Sequence, residues 1–275
     1  MELDIRDVGM CVATLLPDPM VCDRESFRAI ARATADAGFR EISFWPLHLE
    51  SIGADAALAA LAETGLAVPV VEAALAWSAG TGPALESEIG GICAAAERFG
   101  ARIVGACALE PVLAASERAV EGFARLCEGV ARAGLRASLE FLPWSGVPDL
   151  ASAWRIVRAA GQANGGLLLD SWHWQRQPGG PDAALLREIP GERVHYLQLC
   201  DSAPLPQPDL MAEAMSDRRL PGEGCVDFAE LLDALGEIGA EPFVAAEVFN
   251  ARLVARGAGP AARAIRRACG EVARG

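Results

Sequence analysis

The sequence predicts a single (β/α)8 TIM barrel, and three observations predict it. Eight short apolar runs recur along the 275 residues, amphipathic segments lie between them, and no shift in composition divides 1–275 into more than one domain. The runs are 8–15, 41–45, 68–75, 102–108, 136–141, 166–170, 194–200 and 242–248. They are apolar almost throughout, where a half-exposed strand would alternate. That pattern suits strands buried on both faces of a parallel sheet.

Between them, 24–37, 85–99, 116–133, 150–160 and 227–238 repeat apolar residues three and four apart, the spacing of a helix with one buried face. Asp23 stands where the first of these needs a cap. Gly38, Gly65, Gly100, Gly134 and Gly239 each fall between a helix and the next strand, where a left-handed residue closes the helix. An open doubly wound sheet is the alternative fold. It usually carries a Gly-rich first turn, and none follows the run 8–15. One interval is out of step: the excess after the seventh strand reads SAPLPQPDLMAEAMSDRRLPGEGC. It predicts a long loop between the seventh strand and the seventh helix, acting as a lid or a substrate wall.

Composition narrows the chemistry. With 24 basic and 37 acidic residues the formal charge is −13, which disfavours nucleic acid and anionic membrane as partners. The chain contains no lysine. Schiff-base chemistry, a phosphate-loop lysine and a lysine base are therefore excluded. Eight cysteines without a C-x-x-C pair read as buried free thiols of a cytoplasmic protein. The acidic start MELDIRDVGM is unlike a signal peptide, and no apolar run approaches the roughly 18 residues of a membrane span.

Four of the predicted strands end near a side chain with an oxygen that can bind a metal. These are Glu140, Asp170, Gln198 and Glu247, on strands five to eight. Parallel strands would gather them at the C-terminal mouth of the barrel, the face that carries barrel active sites. Three carboxylates and an amide oxygen form a hard set suited to one divalent ion, Mn²⁺, Mg²⁺ or Co²⁺. Without a cation the three acids would repel one another.

The ordered pieces LEF, LLDSWHW, YLQLCDS, RRLPGEG and AEV resemble the xylose isomerase-like TIM-barrel superfamily, most strongly from Glu140 to Glu247. That superfamily includes sugar isomerases, ketose 3-epimerases, inosose dehydratase and 3-dehydroshikimate dehydratase. The resemblance implies a metal quartet of Glu140, Asp170, Gln198 and Glu247. It also implies substrate contacts from His173 and Arg219, and Asp201 behind the ligands, orienting Gln198 or His195. A homodimer is in keeping with it. Gln198 stands where many epimerases carry histidine, and Gly146 where they often carry a second glutamate; the glutamine is similar to the dehydratase branch.

On this reading an ion holds a carbonyl and its neighbouring hydroxyl and stabilises the enediolate left when the α-proton departs. Glu140 and Glu247 would take and return that proton. His173 is an alternative base, and loss of a β-hydroxyl would then make the enzyme a dehydratase. His48, Trp45 and Trp172, with Trp77 and Trp144, could wall a pocket for a small polyol or keto-sugar; core packing explains the tryptophans equally well. Glu72 either faces the mouth or pairs with an arginine. A barrel that binds a ligand without turnover remains the third function class. A DNA-repair nuclease fits poorly with three histidines and the acidic charge.

Overall fold

The structure, a computed structural model, describes residues 1–110 and 117–274. Its strands are β1 (Val8–Cys11), β2 (Ile42–Ser43), β3 (Val70–Ala74), β4 (Ile103–Ala106), β5 (Arg136–Glu140), β6 (Gly165–Asp170), β7 (Val194–Leu199) and β8 (Phe243–Ala246). All pairings are parallel, in the order β2-β1-β8-β7-β6-β5-β4-β3. Parallel bridges Glu41–Ala67 and Phe44–Val71 bring β2 against β3 and nearly close the ring. The result is a single (β/α)8 barrel.

Helices α1 (Arg24–Asp36), α2 (Pro46–Ile52), α3 (Ala54–Thr64), α4 (Pro83–Phe99), α5 (Glu117–Ala131) and α6 (Leu150–Ala160) surround its first half. Helices α7 (Ser171–Arg176), α8 (Ala183–Glu188), α9 (Leu210–Ser216), α10 (Phe228–Glu237), α11 (Ala251–Val254) and α12 (Ala258–Val272) complete it. Asp23 caps α1 by accepting from Ser26 N. The five glycines expected after helices all have positive φ. The predicted helix start at Ser116 lies outside the described residues. The run 8–15 is strand only to Cys11. Val12–Leu15 forms a buried 3-10 turn, so its apolar character reflects packing and not sheet pairing.

Two apolar layers hold the fold. Inside the ring, Val70, Ile103, Leu168, Tyr196 and Ala245 pack together with Phe243 against them. A larger cluster fills the space between strands and helices. Glycine matters where the inner layer crowds: a Cβ on Gly9 would lie 2.8 Å from the Phe243 ring, and one on Gly105 would lie 2.9 Å from Glu72 Cβ. The backbones of β1 and β4 thus leave room for two long inward side chains.

Outside the ring, Gly122 of α5 allows an equally close approach, since a Cβ there would stand 2.0 Å from the Trp77 carbonyl oxygen. Gly122→Ala is expected to cost about 1–3 kcal/mol as the helix is pushed outward. Urea denaturation measures it, and an unchanged midpoint would contradict this packing. All eight cysteines are free, and Cys93 and Cys225 are the two that are not fully buried. Among the described residues no helix is long and apolar enough to cross a membrane.

Candidate active site

Strand register sets the site. Asp170 and Gln198 are direct partners across β6 and β7, and Glu140 ends β5. Glu247 follows β8 directly, its main-chain N–H donating to Leu199 O. All four predicted ligands therefore reach the same rim.

There they divide into two joined halves. In one, ligating atoms of Glu140, Asp170 and His173 lie within 4.8 Å of one another, and His173 Nε2 is 3.3 Å from Glu140 Oε1. In the other, Gln198 Nε2 donates to Glu247 Oε1 and to Glu72 Oε2, each at 3.1 Å, and Cys11 completes a close group with both glutamates. The halves meet at Arg218. Its Nη1 donates to Asp170 Oδ2 at 2.7 Å and lies 3.3 Å from Glu247 Oε2. Phe249 lies under this guanidinium, 4.7 Å from the ring centre.

Local structure fixes Asp170 further. It is the last residue of β6 and the N-cap of α7, its Oδ1 accepting from Trp172 N at 2.7 Å and His173 N at 3.0 Å. A helix N-terminus favours a carboxylate at that place.

The charges do not balance within the protein. Glu72, Glu140, Asp170 and Glu247 are carboxyls of the mouth, whereas among the described residues Arg218 is the one guanidinium paired with them. Burial raises Asp170, but the Arg218 guanidinium and His173 outweigh it and hold the carboxyl below its usual value. The other three are pushed up. Burial does so for Glu140, to about 8, with the Asp170 charge adding to it. Burial likewise raises Glu72 to about 7 and lifts Glu247 well above the carboxylate range, although Arg218 opposes the latter. Burial lowers His173 to about 4, so its contact with Glu140 is between groups that both favour neutrality.

A divalent ion fits the donors Glu140, Asp170 and His173, whose ligating atoms lie within 4.8 Å of one another, and Glu72 and Glu247 form a second such group with Cys11. Three carboxyls lack a full counter-charge, and Gln198 Oε1 is buried without a hydrogen-bond partner. His173 adds a nitrogen beside Glu140 and Asp170 that the oxygen-only set lacked.

The remaining predicted residues fall into two groups. Trp45 stacks on His48 at 5.6 Å and meets Phe249 edge-on at 6.1 Å, forming one aromatic wall. His48 Nε2 contacts Pro19 O at 2.9 Å. Trp144 and Trp172 meet edge-on at 6.0 Å, and Trp144 lies 5.3 Å from the His173 ring. Trp77 is in the core: it packs on Phe123 and donates to Cys107 O.

Arg219, His195 and Asp201 lie away from this cluster. The Arg219 side chain is exposed and its main chain pairs with Asp201, while Arg218 is the buried cation of the mouth. Neighbours in an extended segment point to opposite sides, so only one of the two arginines can face inward. His195 contacts Ser138 Oγ at 3.3 Å, away from Gln198. Asp201 neither orients Gln198 nor reaches His195; its carboxylate accepts from the main-chain N–H groups of Ser202, Gly222, Gly224 and Val226. It fastens the long loop after β7. Glu213 on α9 fastens it again, accepting from Trp172 Nε1, Arg176 and Gln207 N.

Known proteins agree with this architecture. Over 142 residues the chain is 36% identical to a 3-dehydroshikimate dehydratase of Pseudomonas aeruginosa, a match covering 51% of this chain and 21% of that protein. It is 33% identical over 119 residues to an inosose isomerase of Bacillus velezensis, covering 42% of this chain and 41% of the other. The chain thus spans well under half the length of either relative. In fold it is similar to the IOLI protein crystallised with a zinc atom, with a TM-score of 0.81, 20% identity and 97% of each chain covered. Residues 31–270 match the model of the xylose isomerase-like TIM barrel family, and the chain belongs to that family.

Proposed function

We propose that the chain is a divalent-metal-dependent isomerase or epimerase of a hydroxy-ketone sugar or cyclitol. One observation carries this reading: Glu140 and Glu247 reach one mouth from β5 and from beyond β8, and burial raises both carboxyls above their usual range. A pair of groups that can exchange protons on different sides of a substrate is what moving an α-proton requires.

Glu140, Asp170, Gln198 and Glu247 would hold the ion. When bound, Mn²⁺, Mg²⁺ or Co²⁺ supplies Lewis acidity to a carbonyl and its neighbouring hydroxyl. Glu140 takes the α-proton at its carboxylate, with the neutral His173 Nε2 at 3.3 Å steadying the protonated form. Glu247 returns a proton from the other side. Arg218 keeps Asp170 ionised throughout and presents fixed positive charge to the substrate oxygens, the role the sequence assigned to Arg219. Trp45 and Trp144 form aromatic walls for the carbon skeleton, backed by the buried His48 and Trp172. Asp201 and His195 serve the frame.

Similarity to 3-dehydroshikimate dehydratase favours a second reading, in which a β-hydroxyl leaves after the proton and His173 is the base. Incubation with Mn²⁺ and a panel of ketoses and inososes in D₂O is expected to place deuterium at the α-carbon, with chelation stopping exchange and Mn²⁺ restoring it. Rising ultraviolet absorbance from 3-dehydroshikimate, without exchange into the panel, would select the dehydratase. No exchange and a silent ultraviolet trace would leave a ligand-binding barrel.

A further inference from the structure

We propose that Glu72 is a positioning residue that fixes which end of the Gln198 amide faces the cation, an inference that rests on the metal-dependent reading above. A glutamine can ligate a hard cation only through its oxygen, yet its amide has two ends of almost equal size. Some neighbour must decide which end points where. Here Gln198 Nε2 donates to Glu72 Oε2 and to Glu247 Oε1, each at 3.1 Å, so both amide hydrogens are engaged. The oxygen is left buried and unpartnered. Ser43 Oγ and Tyr196 OH both donate to Glu72 Oε1, so Glu72 Oε2 is left to accept and takes the NH₂ end of the amide at its side.

Glu247 alone is a poor guide, because the same carboxylate is a ligand in this reading and also lies 3.3 Å from Arg218. Glu72 stands outside the quartet and beside it, its ligating atoms grouped with those of Cys11 and Glu247. It is 4% exposed, and the hydrogen bonds it accepts come from within the barrel: Ser43 Oγ at 2.7 Å and Tyr196 OH at 3.4 Å on Oε1, Gln198 on Oε2. No arginine is among these partners. Gly105 supports the placement, since any larger residue on β4 would press on the Glu72 Cβ. Ser43 and Tyr196 hold Glu72 through one oxygen, and the other holds the ligand.

The decisive substitution is Glu72→Gln, which keeps volume but offers a neighbour able to donate or accept. It is expected to weaken Mn²⁺ binding by roughly 10–100-fold, the usual effect of removing a residue that orients a metal ligand. Equilibrium binding of Mn²⁺ followed by electron paramagnetic resonance reads this without any substrate. The swapped pair Glu72→Gln with Gln198→Glu is expected to recover most of the affinity: a carboxylate ligates through either end, and the amide introduced by E72Q can donate to it. Gln198→Glu alone is the reference, because its added ligand charge raises affinity by itself: the positioning role predicts that E72Q costs little in that background, whereas a purely structural role predicts the same fold loss in both. Equal Mn²⁺ affinity in E72Q and the unaltered protein, or the same fold loss in the Gln198→Glu background, overturns the positioning role and leaves the metal-dependent reading intact. If the unaltered protein binds no Mn²⁺ stoichiometrically, both fall together.

Discussion

Arg218→Leu is expected to destabilise the metal-free protein by about 3–5 kcal/mol at pH 7, because it strips the cation from a buried ion pair and leaves the acids behind. The guanidinium is 2% exposed and donates to Asp170 while lying beside Glu247. Leucine would fill part of the space but satisfy neither carboxylate. The loss should depend on pH, and its sign follows from Asp170. Arg218 holds that carboxyl below its ordinary value in the folded chain. The pair therefore stabilises above the unfolded value near 3.8 and loses its effect as pH falls through the lower, folded one. Denaturation of both proteins in a chelator should show a wide gap at pH 7 that begins to narrow only below about pH 4 and shrinks further as pH falls through the folded value of Asp170. A gap that stays constant across that acid range would mean that leucine acts through packing alone. Added Mn²⁺ should stabilise the variant more than the parent, since the ion supplies the missing positive charge.

Glu140→Gln and Glu247→Gln should each reduce turnover by about 10²–10⁴-fold, the range ascribed to a single acid or base group. Both exchanges preserve shape while removing the ability to carry a proton. The two variants separate the roles further. If Glu140 removes the proton and Glu247 returns it, E140Q abolishes deuterium exchange from the substrate. E247Q should instead still exchange with solvent from one face while failing to form the epimer. Loss of Mn²⁺ binding in either variant, followed by equilibrium titration, would show ligation as that residue's larger contribution. Unaltered turnover in both would remove the proton-transfer mechanism.

The barrel is legible in the sequence because burial on both faces writes itself into composition. Runs such as GGLLLD and VHYLQL can hardly be anything but enclosed strands, and glycines at positive φ mark the helix ends between them. The rim is legible for the same reason: a carboxylate ending an apolar run has no place in a core. What stays hidden depends on pairing across space. Whether Arg218 or Arg219 faces inward is decided by the short bridge between Asp201 and Arg219, which no local pattern announces. Asp201 sits beside the site in sequence, yet its oxygens are consumed by four main-chain N–H groups of one loop. Glu72 is ambiguous in sequence because nothing in VVEAA reveals that Tyr196 and Gln198, more than a hundred residues away, lie across the ring from it. The C-terminal helix α12 leaves little trace because its buried face is mostly alanine, a weak apolar signal.

The two fastenings of the segment after β7 separate its tip from its roots. Asp201 and Glu213 grip the roots, whereas Leu205 at the tip is 80% exposed and bears on neither grip. The tip can therefore be exchanged like the bit of a tool while the handle stays clamped. Libraries confined to residues 204–206, short of the Gln207 N–H that Glu213 holds, vary the tip while leaving the ion-holding machinery untouched.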